Sequence, residues 1–213
     1  MTLVPTPGYG QPMLEPGANL AAWIDNILLP GKFWNDTWDP EGLFSTLPAI
    51  VSGITGMLAA KILIGKESIE RRILYLMSAG FIATIAGYAW GWVFPMNKPI
   101  WTSSYVLFTS GVAAMVLGVS MFFIDVLGKT KGLTPWLAFG SNAITVYVLG
   151  DLLSLIFYRA PLFGASLNSH AFNLLTSIGF APKLASLTYA VFYLVIILIP
   201  AIILYRRKVF IKL

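Results

Sequence analysis

The 213-residue chain has no cysteine, which removes disulfides, thiolate catalysis and Cys-based metal sites together. It has one histidine, His170, so neither a multi-histidine metal site nor a pair of histidines acting together can be built from these residues. No metal site is expected. Charge is scarce as well: 11% of residues are charged against 57% hydrophobic, mean hydropathy is +0.78, and the charges cluster instead of covering a soluble surface. No Ser-His-Asp arrangement, phosphate loop or dinucleotide fingerprint can be read, nor an internal repeat. What is there defines an integral membrane protein.

Five stretches, at about 43–64, 73–94, 101–127, 136–158 and 184–205, are long enough to cross roughly 30 Å of hydrocarbon as helices of about 20 residues. They are continuous apolar runs, not the alternating pattern of barrel strands. The expected fold is an all-α bundle of about five transmembrane helices over 43–213, preceded over 1–42 by a Pro/Gly-rich loop region. Within that region 19–29 reads as a short helix, capped by Asn19, stopped by Pro30 and Gly31 and placed by Trp23 at the membrane interface or packed on the bundle. Small residues at helical spacing, Ala49 with Gly53, Gly56 with Ala60, Gly87 with Gly91 and Ala114 with Gly118, let helix backbones approach closely. The aromatic residues near span ends, among them Trp90, Trp101 and Tyr158, read as interfacial belts.

Lys and Arg in short connections stay on the cytoplasmic side. Lys66, Arg71, Arg72, Lys129, Lys131, Arg206, Arg207, Lys208 and Lys212 fall on one side of a five-span topology, and Lys32, Lys98, Arg159 and Lys183 on the other. The N-terminus is therefore expected outside and the C-terminus in the cytoplasm. The net charge of +5 then needs no nucleic-acid partner. Residues 1–7 lack the basic and apolar regions of a signal peptide. An outside N-terminus without a leader points to a partner or to upstream sequence.

This topology puts two polar signatures on the same, non-cytoplasmic side, where they can line one site. Asp39-Pro40-Glu41-Gly42 carries carboxylates two apart before a helix start, where the helix dipole stabilises acids; a general-base or sugar-binding role is the functional alternative. Asn97-Lys98-Pro99-Ile100-Trp101-Thr102-Ser103-Ser104 puts an ammonium, an aromatic ring and three hydroxyls at the next helix start, to hold an anion or to cap the helix through Thr102 or Ser103.

Within the spans, Asp151 is the clearest ionisable residue, on a stripe with Tyr147, Ser154 and Tyr158 towards the outer end of the fourth span. It is either a buried carboxylate bonded to a neighbouring helix or a functional group. Ser141, Asn142 and Thr145 form a second polar patch, for helix–helix hydrogen bonding or for substrate. Asp125, four residues before Lys129, reads as a solvated pair. The loop from Arg159 to Lys183, holding His170, reads as a surface helix or a re-entrant segment. His170 is a general-base candidate or incidental.

Taken in order, Leu3-Val4-Pro5-Thr6-Pro7-Gly8, Asn19-Leu20-Ala21-Ala22-Trp23-Ile24-Asp25, Asp39-Pro40-Glu41-Gly42-Leu43, Phe94-Pro95-Met96 running into the second signature, Asn142-Ala143-Ile144 and Tyr205-Arg206-Arg207-Lys208 resemble the C-terminal half of the heparan-α-glucosaminide N-acetyltransferase family and its bacterial relatives. The Asn-Lys-x-x-Trp-Thr-Ser-Ser run is the most specific part. The resemblance implies a polytopic acyltransferase that takes acetyl from acetyl-CoA on one side of the membrane and delivers it to an amino sugar on the other. It also implies a bacterial inner-membrane location. The family's catalytic histidine lies in a His-x-x-Trp-Asn-Gly-type segment that is not among these residues, and His170 does not match it, so the catalytic residue is unknown. The resemblance carries over as site-lining candidates Asp39, Glu41, Asn97, Lys98, Trp101, Ser103 and Asn142; Asp151 joins them from its place in the span. Two readings stand: the C-terminal portion of a membrane acyltransferase, completed by a membrane subunit that brings the N-terminal spans, or a non-catalytic accessory subunit of a larger membrane complex.

Overall fold

The computed structural model describes residues 2–29, 38–39, 41–161 and 164–211. Regular structure in them is helical, with no strand among the described residues. Four helices are long and apolar enough to cross a membrane, or five if one bent pair counts as a single span. The chain forms two compact units, Met1–Lys129 and Thr130–Leu213.

In the first unit, α1 (Leu20–Leu28) starts where Asn19 accepts a side-chain hydrogen bond from the Ala22 N–H at 2.9 Å, the capping the sequence predicts. Its expected stop at Pro30 and Gly31 lies outside the described residues. Ala21, Ala22 and Asp25 are buried, while Trp23 and Ile27 are exposed. Then come α2 (Leu43–Leu63), α3 (Ile69–Trp90) and α4 (Ser103–Met121), which ends in a π-helical turn, Phe122–Val126. Ser68 caps α3, starting it a turn before the apolar run does. Arg72 donates to the Leu63 carbonyl at 2.6 Å, satisfying an orphan acceptor at the end of α2.

The most extensive helix contact is α3 on α4, and glycines make it. A Cβ added at Gly87 would lie 2.4 Å from the Phe108 nitrogen, and one at Gly111 would lie 2.5 Å from the Thr84 nitrogen. Backbone therefore rests on backbone, the membrane route to tight packing where lipid offers no hydrophobic drive. α2 behaves differently: nothing lies within 4 Å of a Cβ built at Gly53 or Gly56. It is tied to α4 by a Thr55–Ser110 hydroxyl hydrogen bond of 2.9 Å.

In the second unit, α5 (Thr134–Ser141), α6 (Ala143–Ser154) with a π-helical turn over Leu155–Arg159, and α7 (Leu167–Ser177) all contact other elements of the unit, α8 (Pro182–Arg206) among them. The expected continuous fourth span is broken: α5 and the α6 segment meet at 88°. The break is at Asn142, whose φ of −131° and ψ of 39° lie outside the helical region. The 159–183 connection holds a helix, α7, capped by Ser166 accepting from the Ser169 N–H at 3.2 Å. Asp125 forms no ion pair with Lys129; the π-turn, with its Leu127 N–H on the Phe122 carbonyl, shifts the i,i+4 register on which that pairing depended.

Candidate functional site

The 94–104 connection of the first unit is a closed hydrogen-bonded loop. The Asn97 N–H donates to Thr102 Oγ1 at 3.0 Å and the Thr102 N–H returns to the Asn97 carbonyl at 3.1 Å. Thr102 Oγ1 shares a 3.1 Å hydrogen bond with Ser104 Oγ, which donates to the Phe94 carbonyl at 2.6 Å. Capping of α4 by the Thr102 or Ser103 side chain was one of the two readings; Thr102 stands at the N-cap position but neither side chain caps the helix: Thr102 turns back to Asn97, and Ser103 Oγ accepts from Trp90 Nε1 at 3.0 Å. The three hydroxyls of this signature thus serve the loop and its neighbour Trp90.

Trp101 sits at φ +51°, left-handed backbone that a bulky L-residue adopts at a cost of roughly 1–2 kcal/mol. The loop enforces it. The Trp101 N–H donates to the Lys98 carbonyl at 3.1 Å, the indole Nε1 donates to Ser52 Oγ on α2 at 3.1 Å, and the ring meets Tyr105 edge-on at 5.2 Å. Such enforced backbone concentrates at binding sites. Trp101 lines an open recess of about 210 Å³ with Phe44, Pro48, Phe94 and Ser103.

Asn97 Nδ2 donates to the Leu14 carbonyl at 3.2 Å, tying the N-terminal segment to this loop, while Asn97 Oδ1 is buried with no hydrogen-bond partner among the described residues. A buried amide oxygen left unsatisfied is costly and calls for a donor. Lys98 beside it is exposed.

The Asp39 signature reaches the same place. A cavity of about 10 Å³ is lined by Asn19, Asp25, Trp38, Asp39 and Ser45 on one side and by Pro99 and Ile100 of the loop on the other. Asp39 Oδ1 accepts from the Glu41 N–H at 2.8 Å, and its carbonyl accepts from the Gly42 N–H at 3.2 Å. Glu41 is exposed. Asp39 thus shares this small cavity with the Pro99–Ile100 stretch of the loop, while Trp101 and Ser103 line the separate recess and Asn97 and Lys98 line neither.

The residue that sequence reasoning missed is Asp25. It is 2% exposed, and its Oδ1 accepts from the Phe44 N–H at 3.0 Å. Because Gly42 at the N-cap of α2 has no side chain to offer, a carboxylate from α1 caps α2 across space. The dipole argument applied to Glu41 is met instead by Asp25. The available signal was a lone acid on the buried face of an otherwise apolar amphipathic helix.

Asn142 and Asp151 belong to the second unit. Asn142 is 1% exposed and spends both ends of its amide on the C-terminal tail: Nδ2 donates to the Val209 carbonyl at 3.1 Å, and Oδ1 accepts from the Ile211 N–H at 3.0 Å. Replacing it by Ala leaves two backbone groups unpaired. We expect a stability loss of about 1–3 kcal/mol and faster limited proteolysis of the 206–211 tail, with cleavage elsewhere unchanged. Asp151 is exposed on α6, and the Ser154 hydroxyl bonds its carbonyl at 2.7 Å, not its carboxylate. Of the polar stripe, Tyr158 turns into an aromatic cluster, 5.5 Å from both Tyr189 and Tyr193. His170 lies exposed on α7 in the second unit.

These features describe an all-α, multi-pass membrane protein with a polar, hydrogen-bonded loop site at the end of its spans. No family model matches the chain. It is 30% identical to human heparan-alpha-glucosaminide N-acetyltransferase over 178 residues, which is 68% of this chain and 26% of the human protein. It is 32% identical to the mouse protein of the same name over 124 residues, 54% of this chain and 19% of that protein. The chain is a distant, acyltransferase-like relative of heparan-α-glucosaminide N-acetyltransferase, and it spans about a quarter of the human protein's length.

Proposed function

We propose that this chain is the C-terminal portion of a membrane acyltransferase that moves an acetyl group from acetyl-CoA to an amino sugar, with the histidine-bearing segment and further spans supplied from outside these residues. The reading places the protein in a bacterial inner membrane, N-terminus outside. Asp39, Glu41, Asn97, Lys98, Trp101 and Ser103 line the acceptor side.

The observation that carries this reading is the 94–104 loop: a left-handed Trp101 held by two hydrogen bonds and an edge-on contact with Tyr105, beside a buried Asn97 Oδ1 that has no donor among the described residues. An amino sugar offers what that oxygen lacks, a hydroxyl or amine proton, and its C–H face suits the indole ring. Glu41 and Asp39 supply the negative charge that an acceptor ammonium meets on approach. Acetyl-CoA supplies the acyl group; the residues described here hold and orient the acceptor. Trp101 and the loop packing exclude water from one side of it.

The test is acetyl transfer from labelled acetyl-CoA to glucosamine by protein purified from native membranes with everything that co-elutes. Asn97→Ala is expected to lower kcat/KM for the acceptor about tenfold, the equivalent of ~1.4 kcal/mol for one hydrogen bond to the substrate lost, with chain recovery unchanged. Lys98→Ala tests the second residue in the same assay. Transfer unaffected by both variants removes them from the site, and a preparation that contains no transferase activity replaces this reading with the accessory-subunit one.

A further inference from the structure

α8 fixes the level of whatever is bonded to its end. Its 25 residues extend about 37 Å at 1.5 Å each, longer than roughly 30 Å of hydrocarbon, so its Arg206 end reaches the headgroup layer. There the chain turns back in a Schellman motif. The Val209 N–H donates to the Leu204 carbonyl at 3.0 Å and the Lys208 N–H to the Tyr205 carbonyl at 3.1 Å, with Lys208 at φ +55°. Val209 and Ile211, just past this turn, are the residues whose backbone Asn142 holds. The break at Asn142 is therefore level with the end of α8.

From the break α6 runs back along α8: the Gly150 carbonyl accepts from the Tyr193 hydroxyl, and the Phe157 carbonyl from the Tyr189 hydroxyl. α5 makes 88° with that segment and packs on α8. It thus lies across the end of α8, close to the membrane plane, and carries Trp136, a residue type that favours the interface. Every one of these contacts is internal to the second unit.

Two observations say what the turn meets. Arg206, Arg207 and Lys208 are consecutive, and the one acid in residues 130–213, Asp151, follows Gly150 about halfway along α8, so no acid of the unit neutralises them. Lys208 also fills the C′ position of the motif, where glycine takes left-handed backbone freely and a lysine is strained. Strain kept for a charge points to a use for the ammonium that the turn itself does not have. Three cations at headgroup level are complementary to lipid phosphate.

We propose that α5 is an in-plane interfacial helix and that the turn after α8 is a headgroup site for anionic phospholipid. Arg206, Arg207 and Lys208 hold the phosphate, and Asn142 keeps the turn against the start of α6. The inference is independent of acetyl transfer, because it rests on the contacts and charges of the second unit.

The chain has no cysteine of its own, so Thr134→Cys, Leu137→Cys and Ser141→Cys, spaced to share one face of α5, can each carry a spin label in vesicles of phosphatidylglycerol and phosphatidylcholine. An in-plane α5 gives three equal depths at the headgroups. A helix that enters the bilayer spreads them over about 10 Å and overturns the proposal. Native mass spectrometry of the purified full chain then counts retained lipid. Phosphatidylglycerol retention should fall at least about tenfold in the combined Arg206→Gln, Arg207→Gln, Lys208→Gln variant, with phosphatidylcholine retention unchanged. Lys208→Gly separates charge from fold: it should unfold no earlier than the native chain, since the strain is relieved, yet retain about fivefold less phosphatidylglycerol. Retention indifferent to these substitutions overturns the site, and so does displacement of the lipid by inorganic phosphate, which would make it a site for a soluble anion.

Discussion

Gly111→Leu is expected to separate α3 from α4 and to abolish the folded first unit. The space an added side chain would occupy is taken by backbone, the Thr84 nitrogen at 2.5 Å and the Gly80 carbonyl oxygen at 2.6 Å, so no rotamer can relieve the clash. Gly111→Ala measures the same contact more gently: overpacking of a close helix interface costs about 1–3 kcal/mol, read as a shift in the detergent unfolding midpoint. The internal control is Gly56→Ala, where nothing lies within 4 Å of the new methyl; a change within about 0.5 kcal/mol is expected there. Equal losses at Gly111 and Gly56 would mean that α3 and α4 do not pack through their backbones.

Asp25→Ala is expected to cost about 2–4 kcal/mol, combining the loss of a charge-assisted hydrogen bond to the Phe44 N–H with the loss of a carboxylate at the positive end of α2. Asp25→Asn keeps the acceptor and loses the charge, so it should recover roughly half of that. The position is sterically closed as well, since a methyl on Gly42 would collide with the Asp25 carboxylate oxygen. Hydrogen exchange at the first amides of α2 reads the effect directly: protection should fall strongly in Asp25→Ala and partially in Asp25→Asn. If protection there is unchanged in both variants, α2 is capped by something other than Asp25.

The membrane character and four of the five expected spans were legible because long apolar runs have few other solutions. So was the cap at Asn19, and Asp39 and the Pro99–Ile100 stretch of the second signature do line one small cavity. Other features were hidden for physical reasons. Hydropathy sees Trp136–Tyr158 as one run, since a polar residue such as Asn142 lowers a windowed average very little; that its amide would leave the helix to hold residues 209 and 211 depends on a contact about 67 residues away. Asp25 was invisible as a cap for the same reason, its partner Phe44 lying 19 residues on. The small-residue pairs were found correctly at Gly87 and Gly118 on α3 and α4. The identical pattern at Gly53 and Gly56 gave no contact, because spacing identifies a face that permits close approach and says nothing of what approaches it.

Membrane vesicles from cells lacking this gene, compared with vesicles in which it is restored, test the central claim most directly when supplied with labelled acetyl-CoA and an amino-sugar acceptor. The account predicts that acetyl transfer to the acceptor is lost without the chain, returns with it, and stays depressed when the restored copy carries Asn97→Ala. Transfer at the same rate with and without the chain would contradict it.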